Sequence, residues 1–204
     1  MSIMKINKLT TLLFASLSMG ILSSCVNDDD TSLPEYTPLI FGENFSEGAD
    51  NTLFEKEGWT NFAEAGTVRW TNQVFSGNGY AEFTTFQSGQ ASNIGWLITP
   101  SINLDAQEGE KLVFQVAQAF VDNAANTIEV LISTDYDGTN VTAATWQSLN
   151  ATLPTVNSVR YEFIKSGVID LSRYTGTAHI AFKVKGNGTT LDGTYQVDNI
   201  RVYN

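Results

Sequence analysis

Two carboxylates stand where a strand pattern would place apolar side chains. Phe41, Glu43 and Phe45 alternate near the start of the chain's apolar patterning, and in an extended strand residues i, i+2 and i+4 share one face. If both phenylalanines enter a core, Glu43 enters with them. Near the C-terminus Asp198 keeps step with Ile200 and Val202, while Val197, Asn199, Arg201 and Tyr203 make a mostly polar opposite face. An inward carboxylate must be paired, hydrogen-bonded or metal-bound, because an unpaired buried charge is costly. Oxygen ligands suit Ca²⁺, so Glu43 and Asp198 are the candidate metal ligands, in a structural role. The alternative gives Glu43 an arginine, Arg160 or Arg173, or a set of backbone N–H groups, and gives Asp198 a turn to cap.

Catalytic patterns are missing. There is no Gly-x-Ser-x-Gly elbow. His179 is the only histidine, too few for a His-based metalloenzyme. Asp135-Tyr136-Asp137-Gly138 opens like a calcium loop but lacks the later acidic positions, and reads as a turn. Gly186-Asn187-Gly188 lies between two β-runs with no helix after it, which makes it a hairpin turn rather than a phosphate loop. Glu64, Glu82, Glu129 and Glu162 are available acids, but none forms the Glu-x-Asp-x-x-Glu run of sandwich glycosidases. The expectation is a protein without catalysis, with a glycoside hydrolase as the least favoured reading.

Aromatic residues make 11% of the chain, enough to supply both a core and a recognition surface. Exposed rings stack on sugar C–H faces, whereas enclosed rings are ordinary core. Trp70 sits in the polar run Arg69-Trp70-Thr71-Asn72-Gln73, and Tyr136 falls on the turn at Asp135–Gly138. These two are the candidate sugar platforms, with a core role open for Trp70. Tyr80, Phe83 and Phe86 fit either role.

Cys25 is the only cysteine. Before it come Lys5 and Lys8, an apolar stretch from Leu9 to Leu22, and the small residues Ser23 and Ser24. This is the layout of a secretory signal, and the stretch is shorter than the roughly 20 residues of a membrane-spanning helix. Leu22-Ser23-Ser24-Cys25 resembles the lipobox of bacterial lipoproteins. The resemblance implies removal of residues 1–24, acylation of Cys25, and attachment to the outer membrane through lipid. Acylation would also leave no thiol for disulfides or zinc. The run 25–38, with Asp28, Asp29, Asp30 and two prolines, reads as a flexible acidic tether. It is similar to the export signal of surface lipoproteins in the Bacteroidetes group, which implies exposure on the cell exterior. The chain carries a net charge of −11, and removing residues 1–24 takes away lysines but no acid. Such a chain is a poor partner for nucleic acid or anionic lipid.

Residues 39–204 are expected to form one all-β domain. Gly, Asn, Thr and Ser punctuate period-2 runs, and no segment sustains a helical period. Leu112–Val121 is apolar on both faces, as in a central strand. Ile128, Val130 and Ile132 share a face, as do Ile180, Phe182 and Val184. Further strands should start near Leu39, Val68, Tyr80, Trp96, Trp146, Val159 and Tyr195. About ten short strands in one domain predict a two-sheet β-sandwich with jelly-roll topology.

A family resemblance runs through most of this region. Its carriers are Phe41-Gly42-Glu43-Asn44-Phe45, Gly58-Trp59, Gly77-Asn78-Gly79-Tyr80-Ala81, Trp96-Leu97-Ile98-Thr99-Pro100, Val130-Leu131-Ile132-Ser133-Thr134-Asp135-Tyr136, Trp146, Ile169-Asp170-Leu171-Ser172-Arg173-Tyr174, Ile180-Ala181-Phe182 and Val197-Asp198-Asn199-Ile200. In that order they resemble the choice-of-anchor J jelly-roll modules, relatives of cleaved-adhesin and MAM-type domains. The resemblance implies a non-catalytic extracellular module in which the first and last strands meet at one edge. It also suggests core positions for Trp59, Trp96 and Trp146. The expected function is binding of extracellular glycan or another surface partner. The competing expectation is an accessory subunit of an outer-membrane complex, with no sugar site.

Overall fold

A computed structural model describes residues 37–204. The expected signal segment, Cys25 and the linker as far as Tyr36 lie outside the described residues. Fourteen strands form, and no helix is present among the described residues. In chain order they are β1 (Leu39–Glu43), β2 (Thr52–Leu53), β3 (Thr60–Ala65), β4 (Thr71–Phe75), β5 (Asn78–Thr84), β6 (Asn93–Ile98), β7 (Ile102–Asn103), β8 (Lys111–Ala119), β9 (Thr127–Ser133), β10 (Gln147–Ser148), β11 (Ile164–Lys165), β12 (Ile169–Asp170), β13 (Thr177–Gly186) and β14 (Thr194–Tyr203).

They pair into two antiparallel sheets. Sheet I has the order β11-β8-β14-β5-β4-β2, with β1 on β14 and β12 on β8. Sheet II has the order β10-β9-β13-β6-β3, with β7 on β13. The chain crosses between sheets eight times: at β2 to β3, β3 to β4, β5 to β6, β7 to β8, β8 to β9, β10 to β11, β12 to β13 and β13 to β14. This is the wiring of a jelly-roll sandwich, as the alternation predicted. One tight hairpin stays within sheet I. Ser76 and Gly77 both have positive φ (52° and 83°) between β4 and β5, the backbone of a two-residue turn that suits strand twist.

The core lies between the sheets, where alternation places it. Phe114 of β8 meets Phe182 of β13 edge-on, with ring centroids 5.1 Å apart. Trp70 leans on Phe83 at 5.6 Å, and both are fully enclosed. Phe83 in turn fills a slot over Gly95 of β6, where an added Cβ would overlap the ring. A second apolar cluster covers the outer face of sheet II. There Tyr136, Val141 and Trp146 fold back onto Trp96, Ile98 and Leu131.

Two expectations about local structure need correction. No strand starts at Val159; residues 153–163 run irregularly beside the end of β8. This segment is tied on by Tyr161 N–H to the Gln118 carbonyl (2.8 Å) and by Gln118 Nε2 to the Ser158 carbonyl (2.7 Å). The other correction concerns β14, whose register against β8 shifts between Asp198 and Arg201. Asn199 takes φ 50° there. This is a β-bulge, and one extra residue inverts the facing of everything beyond it.

Candidate functional site

The bulge separates the two carboxylates. Before it, Tyr195 and Val197 belong to the inter-sheet core; after it, Ile200 and Val202 do. Asp198 therefore falls on the outer face of sheet I with Gln196, not on the core face with Ile200. It is nonetheless buried (1% exposed). Asn78 Nδ2 and Asn199 Nδ2 each donate to its Oδ2 at 3.0 Å, and the Asn199 backbone N–H donates to Oδ1. Burial raises the Asp198 pKa above the usual carboxylate range, the Asn78 and Asn199 bonds oppose that, and the Glu43 charge adds to it.

Glu43 does turn inward. It pairs across β1–β14 with Ile200 and is buried. Its partner is Lys56, with Nζ 2.7 Å from Oε2, and the Phe45 backbone N–H donates to Oε1 at 2.7 Å. Neither expected arginine is the partner. Arg160 pairs with Asp122 at 3.3 Å, and Arg173 lies over the Tyr174 ring. Oxygen atoms of the right kind for Ca²⁺ are present at this edge, but the two carboxylates occupy opposite faces and Lys56 already neutralises one. Among the described residues no group of three or more His, Cys, Asp or Glu side chains gathers at one point.

Neither expected sugar platform is exposed. Trp70 is 0% exposed, so it has no face to offer a ligand. The polar residues around it serve its backbone: its N–H donates to Asn61 Oδ1 and its carbonyl accepts from Asn61 Nδ2. Tyr136 is also buried, between Trp146 and His179, with its hydroxyl 3.0 Å from Thr60 Oγ1. The turn at Asp135–Gly138 exists, but its tyrosine folds back onto sheet II.

The exposed rings gather elsewhere. Phe75 (73%), Phe86 (61%), Tyr161 (55%) and Phe120 (47%) are all open to solvent, and all four border one groove on the outer face of sheet I. Its floor is the polar face of β5 and β14. Alternation sends Ala81 and Phe83 into the core, which leaves Asn78, Tyr80, Glu82 and Thr84 on the outside. Across the β5–β14 pairing, Gln196 Nε2 donates to Glu82 Oε2 (2.8 Å) and Thr194 Oγ1 donates to Thr84 Oγ1 (2.7 Å). One hollow of about 540 Å³ is lined by Phe75, Asn78, Tyr80, Tyr161, Phe163 and Gln196. A second, of about 510 Å³, lies among Glu82, Thr84, Phe86 and Phe120, with Asp122, Asp192, Thr194 and again Tyr161. Tyr161 is common to both, so the two hollows adjoin.

The walls are held firmly. Tyr80 meets Phe163 edge-on at 5.7 Å, and Phe120 meets Tyr161 edge-on at 6.0 Å. The Arg160 guanidinium sits 4.2 Å over the Phe120 ring. Phe120 (φ 56°) and Tyr161 (φ 64°) both adopt left-handed backbone. For bulky residues that conformation costs of order 1–3 kcal/mol each, and such strain concentrates at functional sites. The pattern on β5 could have found Tyr80 and Glu82, since alternation about Ala81 and Phe83 already turns them outward. Nothing in the sequence marks Phe75, Phe120, Tyr161 or Gln196, which come from separate elements.

The groove and the bulge leave a mark on pH dependence. Burial raises the Glu82 pKa, the Gln196 bond opposes that and the Asp50 charge adds to it. Glu82 and Asp198 therefore hold protons in the folded state at a pH where the unfolded chain has lost them. Acidification from neutrality should stabilise the fold until it reaches the ordinary carboxylate range near pH 4. Asp135, Asp137 and Asp170 behave oppositely, since hydrogen bonds from Ser133, Asn140 and Ser172 respectively hold them below the usual range. What they contribute is present above about pH 4 and is lost as pH falls through their folded values. The melting midpoint should climb as pH falls toward the ordinary carboxylate range near pH 4 and drop below it. A midpoint that nowhere rises on acidification toward that range would refute the buried-acid account.

Solved structures share this fold. The K2 cleaved adhesin domain of Lys-gingipain superposes with a TM-score of 0.52 at 13% identity, covering 79% of this chain and 96% of that one. The K3 cleaved adhesin domain of Lys-gingipain from Porphyromonas gingivalis gives 0.51 at 18% identity, covering 82% and 100%. At these identities the likeness is one of fold. No family model matches the chain, and no curated protein matches it.

Proposed function

We propose that this protein binds extracellular glycan without catalysis, in the groove on the outer face of sheet I. The observation that carries the reading is the ring of four solvent-exposed aromatics around a polar floor. Rings of this kind stack on sugar faces while amide, hydroxyl and carboxylate edges fix hydroxyl groups. Retention on polysaccharide affinity gels tests it. The intact protein should be retarded, and Tyr161→Ala should lose most of that retardation without a fall in melting temperature.

Two other outcomes are decisive. If no glycan is retained, the apolar rim belongs to a protein contact and the accessory-subunit reading takes over. If a polysaccharide is cleaved, and Glu82→Gln abolishes the cleavage, the protein is a hydrolase.

The placement belongs to the same proposal. Acylation at Cys25 anchors the protein in the outer membrane, and the acidic tether holds the sandwich on the exterior face. Cys25→Ala should release it from the membrane fraction, and a soluble wild type would sink the anchor. A calcium ion at this edge would have Glu43 or Asp198 as ligand but not both, since the two occupy opposite faces of sheet I, and at Glu43 it would compete with Lys56. If an ion is held there, chelation lowers the melting midpoint; an unchanged midpoint leaves the Lys56 pair as the working partner.

A further inference from the structure

We infer that the groove selects an interior stretch of an uncharged polysaccharide and rejects carboxylated or sulfated chains; this rests on the groove being the glycan site. Three features point there. The first is charge. The ionisable acids lining the two hollows are Glu82, Asp122 and Asp192, and no lysine or arginine lines either one. The nearby cation, Arg160, is engaged by Asp122 and by the Phe120 ring. A polyanion laid here would meet like charge with no counterion supplied by the protein, within a chain already at −11.

The second is hydrogen-bond polarity at the floor. Gln196 Nε2 gives one of its two N–H groups to Glu82 Oε2, and Gln196 itself is buried. The more open member of the pair is the Glu82 carboxylate, an acceptor. Sugar hydroxyls can donate to it, whereas a carboxylate or sulfate brings only further acceptors. Burial of Glu82 sharpens the discrimination, because its charge is already poorly solvated and a second anion beside it would be strongly penalised.

The third is length. The two hollows follow β5 from Asn78 to Thr84 and join at Tyr161, a span of about 20 Å. That is longer than one sugar ring. Affinity should therefore grow from monosaccharide to oligosaccharide rather than depend on a chain end.

Affinity electrophoresis and titration calorimetry of the full chain at low ionic strength test this, with mannan, xylan and a mixed β-glucan set against polygalacturonate, alginate and a sulfated galactan. At least one neutral polymer should be retained, at least tenfold more tightly than any anionic one, and the preference should narrow as salt is added, because salt relieves the repulsion but does not weaken the neutral polymer. Tyr161→Ala should remove retention. Glu82→Gln should narrow the gap between neutral and anionic chains. Equal or tighter binding of an anionic polymer that Tyr161→Ala abolishes would overturn the charge selection and leave the groove as the glycan site. Retention indifferent to Tyr161→Ala, or no retention of any polymer, would overturn the groove itself and this inference with it.

Discussion

Replacing Trp70 by alanine should cost about 3–5 kcal/mol of stability, the range for emptying a large aromatic site in a packed core. The ring is fully enclosed and rests on Phe83, which itself fills the slot over Gly95. The close approach of Gly95 to Phe83 holds that neighbouring ring in place. For a domain of this size the loss corresponds to roughly 6–20 °C in melting temperature. Trp70→Phe should recover most of it. The indole Nε1 has no hydrogen-bond partner among the described residues, so removing that donor sacrifices no bond. Urea unfolding of the two variants measures the effect. A Trp70→Ala protein that melts with the wild type would mean that the ring is not core. In the folded fraction, glycan retention should be untouched, since Trp70 reaches neither hollow.

The opposite behaviour is expected at the groove wall. Tyr161→Ala and Tyr161→Gly should both weaken glycan retention by tenfold or more, in keeping with the cost of truncating an aromatic anchor. Their stabilities should differ in an unusual direction. At an ordinary position alanine is more stable than glycine by about 0.4–1 kcal/mol, because glycine frees the unfolded chain. At φ 64° the β-carbon is strained and glycine is not. The glycine variant should therefore be the more stable of the two, by about 1 kcal/mol. Phe120, at φ 56°, should show the same reversal. Together the two positions would show that stability is given up where the ring is aimed. If alanine is the more stable at both, the strain is absent and the wall is ordinary loop.

The bulge in β14 shows where strand periodicity stops being a guide. Alternation places Asp198 with Ile200 and Val202, and a continuous strand would have put it in the core. One extra residue at Asn199 turns it to the other face. Nothing in the run Val197-Asp198-Asn199-Ile200 announces the bulge, apart from an asparagine that tolerates left-handed backbone. The register of β1 shifts only before Phe41, so Phe41 and Glu43 keep step opposite Val202 and Ile200, and the inward facing of Glu43 follows directly. Its partner Lys56 does not, since β1 and Lys56 meet only when the chain returns after β2.

The sandwich and its core were legible in the chain itself, because alternation and turn residues act between neighbours and need no tertiary information. Phe114 and Phe182 are core by that local rule. Tyr80 and Phe83 fit either role in the sequence, and the folded β5 encloses Phe83 and turns Tyr80 and Glu82 outward. The groove was decided only by the fold. Phe75 ends β4, Phe86 follows β5, Phe120 follows β8, and Tyr161 lies in a segment that pairs with nothing by pattern. Each reads alone as a stray exposed ring. They become one site because β5, β14 and β8 pair side by side in sheet I, and because Gln118 ties the 153–163 segment beside them. Period and composition report on contacts a few residues apart, whereas a recognition surface is assembled from residues tens of positions distant.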